Sequence, residues 1–117
     1  MPTFNGNEYS LTGYLADVST AGQIFIVAPD AGEIVKIASV INGTIATADV
    51  DFTAKIGGTA VTGGVITATA SGSAAGDVDS TVPTAANSVT AGQAIEIETD
   101  GASTNTVEAW FTVTIRR

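Results

Sequence analysis

Cysteine and histidine are both absent from this chain. Without thiols there is no disulfide, no thiolate for a metal and no sulfur nucleophile. Without imidazole the commonest general base is missing, so Ser-His-Asp and Cys-His nucleophile systems and His-ligated zinc or copper are excluded. Cations are nearly as scarce: 4 Lys and Arg stand against 12 Asp and Glu, for a formal charge of -8. Two of the four are the terminal Arg116 and Arg117, leaving Lys36 and Lys55. A nucleic-acid binder needs several cationic groups to neutralise phosphates and release counterions, so no nucleic-acid partner is expected. No apolar run approaches the roughly 20 residues of a membrane span. The opening MPTFNGNEYS has neither a basic nor an apolar leader segment, so no membrane partner and synthesis in a cytoplasm are expected.

What is present is apolar and small. Hydrophobic residues make up 44% of the 117 residues and charged ones 14%, which suits one folded domain rather than a disordered tail. Much of the surface must then be Thr, Ser, Ala and Gly. Hydroxyls and methyls lose less on leaving water than ammonium or carboxylate groups, so such a surface favours protein contacts.

The patterning is that of strands. Val107, Ala109, Phe111, Val113 and Ile115 alternate with Glu108, Trp110, Thr112, Thr114 and Arg116, the period of a half-buried strand. In AGQAIEIETDG, Ile95 and Ile97 oppose Glu96 and Glu98, and Asp100-Gly101 signals a turn toward the C-terminal strand. GQIFIVAP and GEIVKIASVING flank Pro29-Asp30-Ala31-Gly32, which reads as a second hairpin. The run from Ile34 to Ile41 is apolar on nearly both faces and is expected to be central and covered on two sides, closed by a tight turn at Asn42-Gly43. Val50 to Ile56 alternates with Asp49, Asp51, Thr53 and Lys55 and ends at Gly57-Gly58; a further strand from Val65 to about Ala70 follows Gly63-Gly64. Leu11 to Val18 suits an edge strand, residues 1–9 an arm, and Ser71 to about Val89 a long surface loop suited to display. Roughly seven or eight short strands make an all-β, single-domain antiparallel β-sandwich over residues 10–117, jelly-roll-like or, alternatively, immunoglobulin-like without its Cys-Trp-Cys framework.

Carboxylate chemistry is what the missing residues leave. Glu96 and Glu98 share a strand face roughly 7 Å apart, but they point the same way instead of flanking a substrate, so a solvated face is the plainer reading. Asp77 and Asp79, and likewise Asp49 and Asp51, are alternating acids of the kind that join carbonyls around calcium, yet neither pair has EF-hand spacing. Gly57-Gly58 and Gly63-Gly64 lack the Lys and helix of a phosphate loop. No cofactor and no catalytic residue is expected. Trp110 is the one side chain out of place, an outward Trp being typical of an interface anchor, unless both sheet faces are covered.

From about Ser10 to Ile115 the chain resembles the small head decoration (cement) proteins of tailed bacteriophages. The segments that carry the resemblance are VSTAGQIFIVAP, TADVDFTAKIGGTAV, GSAAGDVDS and AGQAIEIETDGAS. The resemblance implies a non-enzymatic virion protein that forms homotrimeric knobs on the outside of a capsid and clamps neighbouring major capsid protein subunits. Phe4 and Tyr9 on the arm, and Trp110, are then the candidate capsid or trimer contacts. A carbohydrate-binding or adhesion module is the alternative, with Trp110 stacking on a sugar.

Overall fold

A computed structural model of the chain describes residues 7–117. It is built from strands: β1 (Glu8–Leu15), β2 (Gly22–Val27), β3 (Gly32–Ile41), β4 (Val50–Ile56), β5 (Thr59–Ala68), β6 (Val78–Thr81), β7 (Ser88–Val89), β8 (Ala94–Thr99) and β9 (Ala109–Arg116). The first sheet runs β1-β9-β3-β6, with β7 also paired to β3, and the second runs β2-β8-β4-β5. All ladders are antiparallel. The pairing is nested: β1 joins β9, β2 joins β8, β3 joins β6 and β7, and β4 joins β5. A long hairpin folded across two sheets gives this order, which is a jelly roll. An immunoglobulin-like order would pair the first strand with the second, whereas β1 and β2 lie in different sheets.

The nesting overturns two expected hairpins. β2 and β3, on either side of Pro29-Asp30-Ala31-Gly32, cross from one sheet to the other, and so do β8 and β9 on either side of Asp100-Gly101. Pro, Asp and Gly make the chain reverse, but the partner is decided by which apolar faces meet. β3 and β4 are likewise in different sheets, and Gly43 does not take positive φ, so Asn42-Gly43 is not a tight hairpin turn. The hairpin that does form is β4–β5. Gly57 and Gly58 take φ of 58° and 81° between the paired Ile56 and Thr59, the two-residue turn that matches strand twist. Gly63-Gly64 is no turn, because β5 runs through it from Thr59, with a break in register against β4 between Thr53 and Lys55.

The core lies between the sheets. Phe52 of β4 meets Phe111 of β9 edge to face at 5.0 Å between centroids, and Ile34, Ile37, Ile95, Ile97, Ile115 and Val113 close around them. Each such side chain contributes about 1.5–3 kcal/mol on leaving water. β3 carries a bulge between Ile34 and Lys36. The extra residue resets the alternation, so Ile34 and Ile37, three apart, are both buried. This is why the run looked apolar on two faces; Ala38 and Val40 in fact face outward, and among the described residues no third layer covers them. The segment expected as a loop from Ser71 to Val89 holds β6 and β7. It also closes one side of the sandwich, where Thr62 bridges Ala85 and the Thr81 hydroxyl donates to the Gly63 carbonyl at 2.7 Å.

Candidate interaction surface

Strand direction sorts the loops into two ends. β1–β2, β3–β4, β5–β6 and β8–β9 connect at one end; β2–β3, β4–β5 and the β6–β8 segment connect at the other, beside Arg116 and Arg117. Asp17, Asp49, Asp51, Asp77, Asp79, Asp100 and Glu108 lie at or near the first end with no Lys or Arg among them. It is the acidic end. At the paired end the cations meet carboxylates, Arg116–Glu8 at 3.1 Å and Arg117–Asp30 at 2.7 Å, while Lys55 reaches Glu98 at 3.1 Å across the outer face of the second sheet.

Acids at the acidic end accept hydrogen bonds from neutral donors. Asp17 accepts from the backbone N–H and hydroxyl of Ser19 and from the Thr20 hydroxyl, Asp49 from the Ala70 N–H, Asp51 from the Thr67 hydroxyl, Asp77 from the Ala74 N–H and Asp100 from the Ala102 N–H. Glu108 receives the Tyr14 hydroxyl at 2.5 Å and the Asn42 amide at 3.3 Å. These donors order the loops and leave the negative charge uncancelled. The Ser19 hydroxyl and N–H hold the Asp17 carboxyl below its ordinary range, and the Glu108 carboxylate raises the Tyr14 phenol above its own.

Between this end and the middle of the first sheet runs an outward row across four strands. Tyr14 pairs with Trp110, Trp110 with Val40, and Val40 with Val78. Tyr14 is 47% exposed, Trp110 40% and Val78 66%. The Tyr14 and Trp110 rings lie 5.3 Å apart at 42°. Below it comes a row of small groups, Thr12, Thr112, Ala38 and Ser80. Ala38, Val40, Val78, Trp110 and Thr112 line a shallow groove of about 200 Å³. The outer face of the second sheet is different, with Glu96, Glu98, Lys55 and Asp51 across its middle and exposed Phe25 and Val27 on edge strand β2.

The residues singled out from the sequence are not brought together. Trp110 is on the groove. Tyr9 lies in β1 opposite Ile115, near the paired end, where its hydroxyl donates to the Asp30 carbonyl and the Arg117 guanidinium sits 4.8 Å over its ring. The arm expected over residues 1–9 thus overlaps β1, and Phe4 lies outside the described residues. Glu98 is taken by Lys55, and among the described residues no group of three or more acidic side chains is placed to hold a metal ion. Sequence reading missed Tyr14, Val40, Val78 and Glu108. Tyr14 was within reach, because SLTGYL alternates Ser10, Thr12 and Tyr14 outward; Val78 was hidden in a segment too polar to look like a strand.

Among solved structures the chain is similar to one from cyanophage Pam1, described as a capsid asymmetric unit, with a TM-score of 0.51 and 13% identity over 99% of this chain and 90% of that one. At that identity the likeness is one of fold. No family model matches the chain, and no curated protein does. Among the described residues no helix is long and apolar enough to cross a membrane.

Proposed function

We propose that this chain is a decoration protein of a phage head, which binds the outer surface of a shell built from a major capsid protein and stabilises it, acting as a homotrimer without catalysis. The observation that carries this reading is the end-to-end likeness of fold to a chain of a phage capsid asymmetric unit. The resemblance in four sequence segments points the same way, and the Trp110 face supplies a surface suited to a protein partner. Stabilisation follows from mass action: a ligand that binds the assembled shell and not its free subunits shifts the equilibrium toward the shell.

The test is to add the purified chain to undecorated capsids assembled from the major capsid protein of the phage that carries it. Saturable co-sedimentation and a raised capsid melting temperature are expected; absence of co-sedimentation overturns the reading. Light scattering of the free chain, and of the decorated particle by image reconstruction, tests the trimer. Deleting residues 2–6 leaves β1 whole and tests Phe4 as an anchor, with weaker capsid binding expected. The exposed Trp110 beside a groove also suits the carbohydrate-binding alternative, though Ala38, Val40 and Val78 offer a sugar few hydrogen bonds. A glycan-array signal lost in Trp110→Ala would select it.

A further inference from the structure

The groove beside Trp110 combines an apolar lining with a negative surround. Its lining includes Val40, Val78, Trp110 and Ala38, none of them charged. Glu108, hydrogen-bonded to Tyr14, sits two residues from Trp110 on the same outward face, at the acidic end of the sheet; Asp77 and Asp79, on either side of Val78, lie on the other face of the strand, where Asp79 pairs with the buried Ser39. The nearest cation on the same strand, Lys36, is four residues from Val40, about 13 Å away at strand rise, which exceeds a Debye length of about 8 Å at physiological salt. Among the described residues no cation is placed to cancel Glu108, and its hydrogen-bond donors, Tyr14 and Asn42, are neutral.

We infer that this groove receives a segment of the capsid subunit that carries an aliphatic side chain flanked by Lys or Arg. This rests on the decoration reading for the identity of the partner, but the chemistry of the groove stands by itself. The aliphatic group covers Val40 and Val78, and a flanking cation faces Glu108 at the acidic end, with an Arg plane able to lie on the Trp110 or Tyr14 ring. Two other occupants fit worse. A second copy meeting the groove through the same face brings another acidic end against this one, and like charges in contact are repulsive; a trimer neighbour meeting it through a different face is set apart by light scattering, in which Trp110→Ala is expected to keep the wild-type oligomeric state. The chain's own first six residues contain no Lys or Arg and join β1 at its far end, about 20 Å from Tyr14 along the strand.

The test has a capsid arm and a peptide arm. In the first, capsid affinity is measured for the wild type and for substitutions at exposed positions that leave the core intact. Val78→Lys places a cation in the groove and is expected to weaken binding at least tenfold, whereas Val78→Glu is expected to preserve it. Trp110→Ala is expected to cost tenfold or more. Glu108→Gln keeps hydrogen-bonding atoms for Tyr14 and Asn42 but removes the charge; a few-fold loss with a shallower salt dependence is expected, which a purely structural role would not produce. Wild-type binding that is indifferent to salt and to all four substitutions overturns the groove assignment and leaves the decoration reading in place. In the second arm, Trp110, the one Trp in the chain, reports directly through its indole NMR signal. An acetylated Gly-Arg-Leu-Arg-Gly amide is expected to shift that signal saturably, and the Glu-for-Arg and Ser-for-Arg peptides are not. No shift with the Arg peptide, or equal shifts with all three, overturns the inference whether or not capsids bind.

Discussion

The two ends of this sandwich handle the same residue types in opposite ways. At the paired end Glu8 and Asp30 each face a cation within 3.1 Å, so charge is cancelled on the surface. At the acidic end Asp17, Asp49, Asp51, Asp77, Asp100 and Glu108 are held by hydroxyls, amides and backbone N–H groups, so charge is fixed in place and kept. The loops there are also bonded to one another: Val18 N–H to the Val107 carbonyl, Thr104 N–H to that of Ala46, and Asp100 N–H to that of Asp51. An end that carries uncancelled charge on ordered loops is prepared for a partner, whereas cancelled charge on a short turn serves solubility and little else.

The largest expected effect tests whether the acidic end is the more tightly built. Gly101, between β8 and β9, takes φ of 72°, and a Cβ there would lie 2.4 Å from the Ala21 nitrogen. Gly58, in the β4–β5 turn at the other end, takes φ of 81° with nothing within 4 Å of such a Cβ. Both substitutions to Ala carry left-handed strain, but Gly101→Ala adds a backbone clash, so about 3–5 kcal/mol is expected against about 1–2 kcal/mol for Gly58→Ala. Urea denaturation measures both, and equal losses would break the contrast.

Next in size are the buried hydroxyls. Thr99, 1% exposed, donates to the Val18 carbonyl at 3.0 Å and so ties the β1–β2 loop to the end of β8. Thr99→Val keeps the shape and strands that carbonyl, at a cost of about 1–3 kcal/mol. Ser39 is 2% exposed in the acidic half of β3, and its Oγ has no hydrogen-bond partner among the described residues. Ser39→Ala is therefore expected to stabilise the fold by up to about 1 kcal/mol, a change of opposite sign in the same denaturation experiment.

How much of this could be read from the sequence depends on whether the signal is local. The alternation of β9 and the outward placement of Trp110 needed only a period of two, and both are as expected. β4 and its Gly57-Gly58 turn were equally legible, because the turn residues and the strand partner are neighbours in sequence. The nested order was not, since Pro29-Asp30-Ala31-Gly32 has the same composition whether the chain returns within a sheet or crosses to the other. β6 was missed because an edge strand buries little and so need not be apolar. Charge segregation was invisible for the same reason as the topology: Asp17, Asp49, Asp77 and Asp100 are scattered along the chain and become one end only when four separate loops meet.

A smaller effect separates the two kinds of carboxylate by salt. Both Asp17 and Asp30 lie below their ordinary value of 3.8, Asp17 chiefly through the Ser19 hydroxyl and Asp30 chiefly through the Arg117 guanidinium. Each therefore contributes stability that is present above 3.8 and lost as pH falls through its lowered value. At about 1 M salt the Debye length shrinks to about 3 Å. Asp30, held first by the hydrogen bond from Arg117 and then by the Ala31 N–H, is expected to move only part of the way toward 3.8 as the smaller Coulomb part of the Arg117 attraction is screened, while Asp17, held by neutral donors, does not move. Carboxyl chemical shifts followed against pH at two salt concentrations decide it, and parallel movement of the two would erase the distinction between the ends.

The smallest effect reads the acidic end from the alkaline side. The Tyr14 hydroxyl donates to Glu108, and losing its proton would set two anions against each other with no cation to relieve them, so Tyr14 titrates above its ordinary 10.0. With the folded value raised, the bond contributes stability that is whole below pH 10.0 and lost as pH rises through the folded value. Trp110, with its ring 5.3 Å from that of Tyr14, reports the event, because a tyrosinate beside an indole quenches its emission. Glu108→Gln removes the fixed anion and keeps an acceptor, so the quenching step is expected to move to lower pH. If the step does not move, Glu108 is not acting on Tyr14 as a charge, and the view of the acidic end as charge held in place fails at the residue closest to the groove.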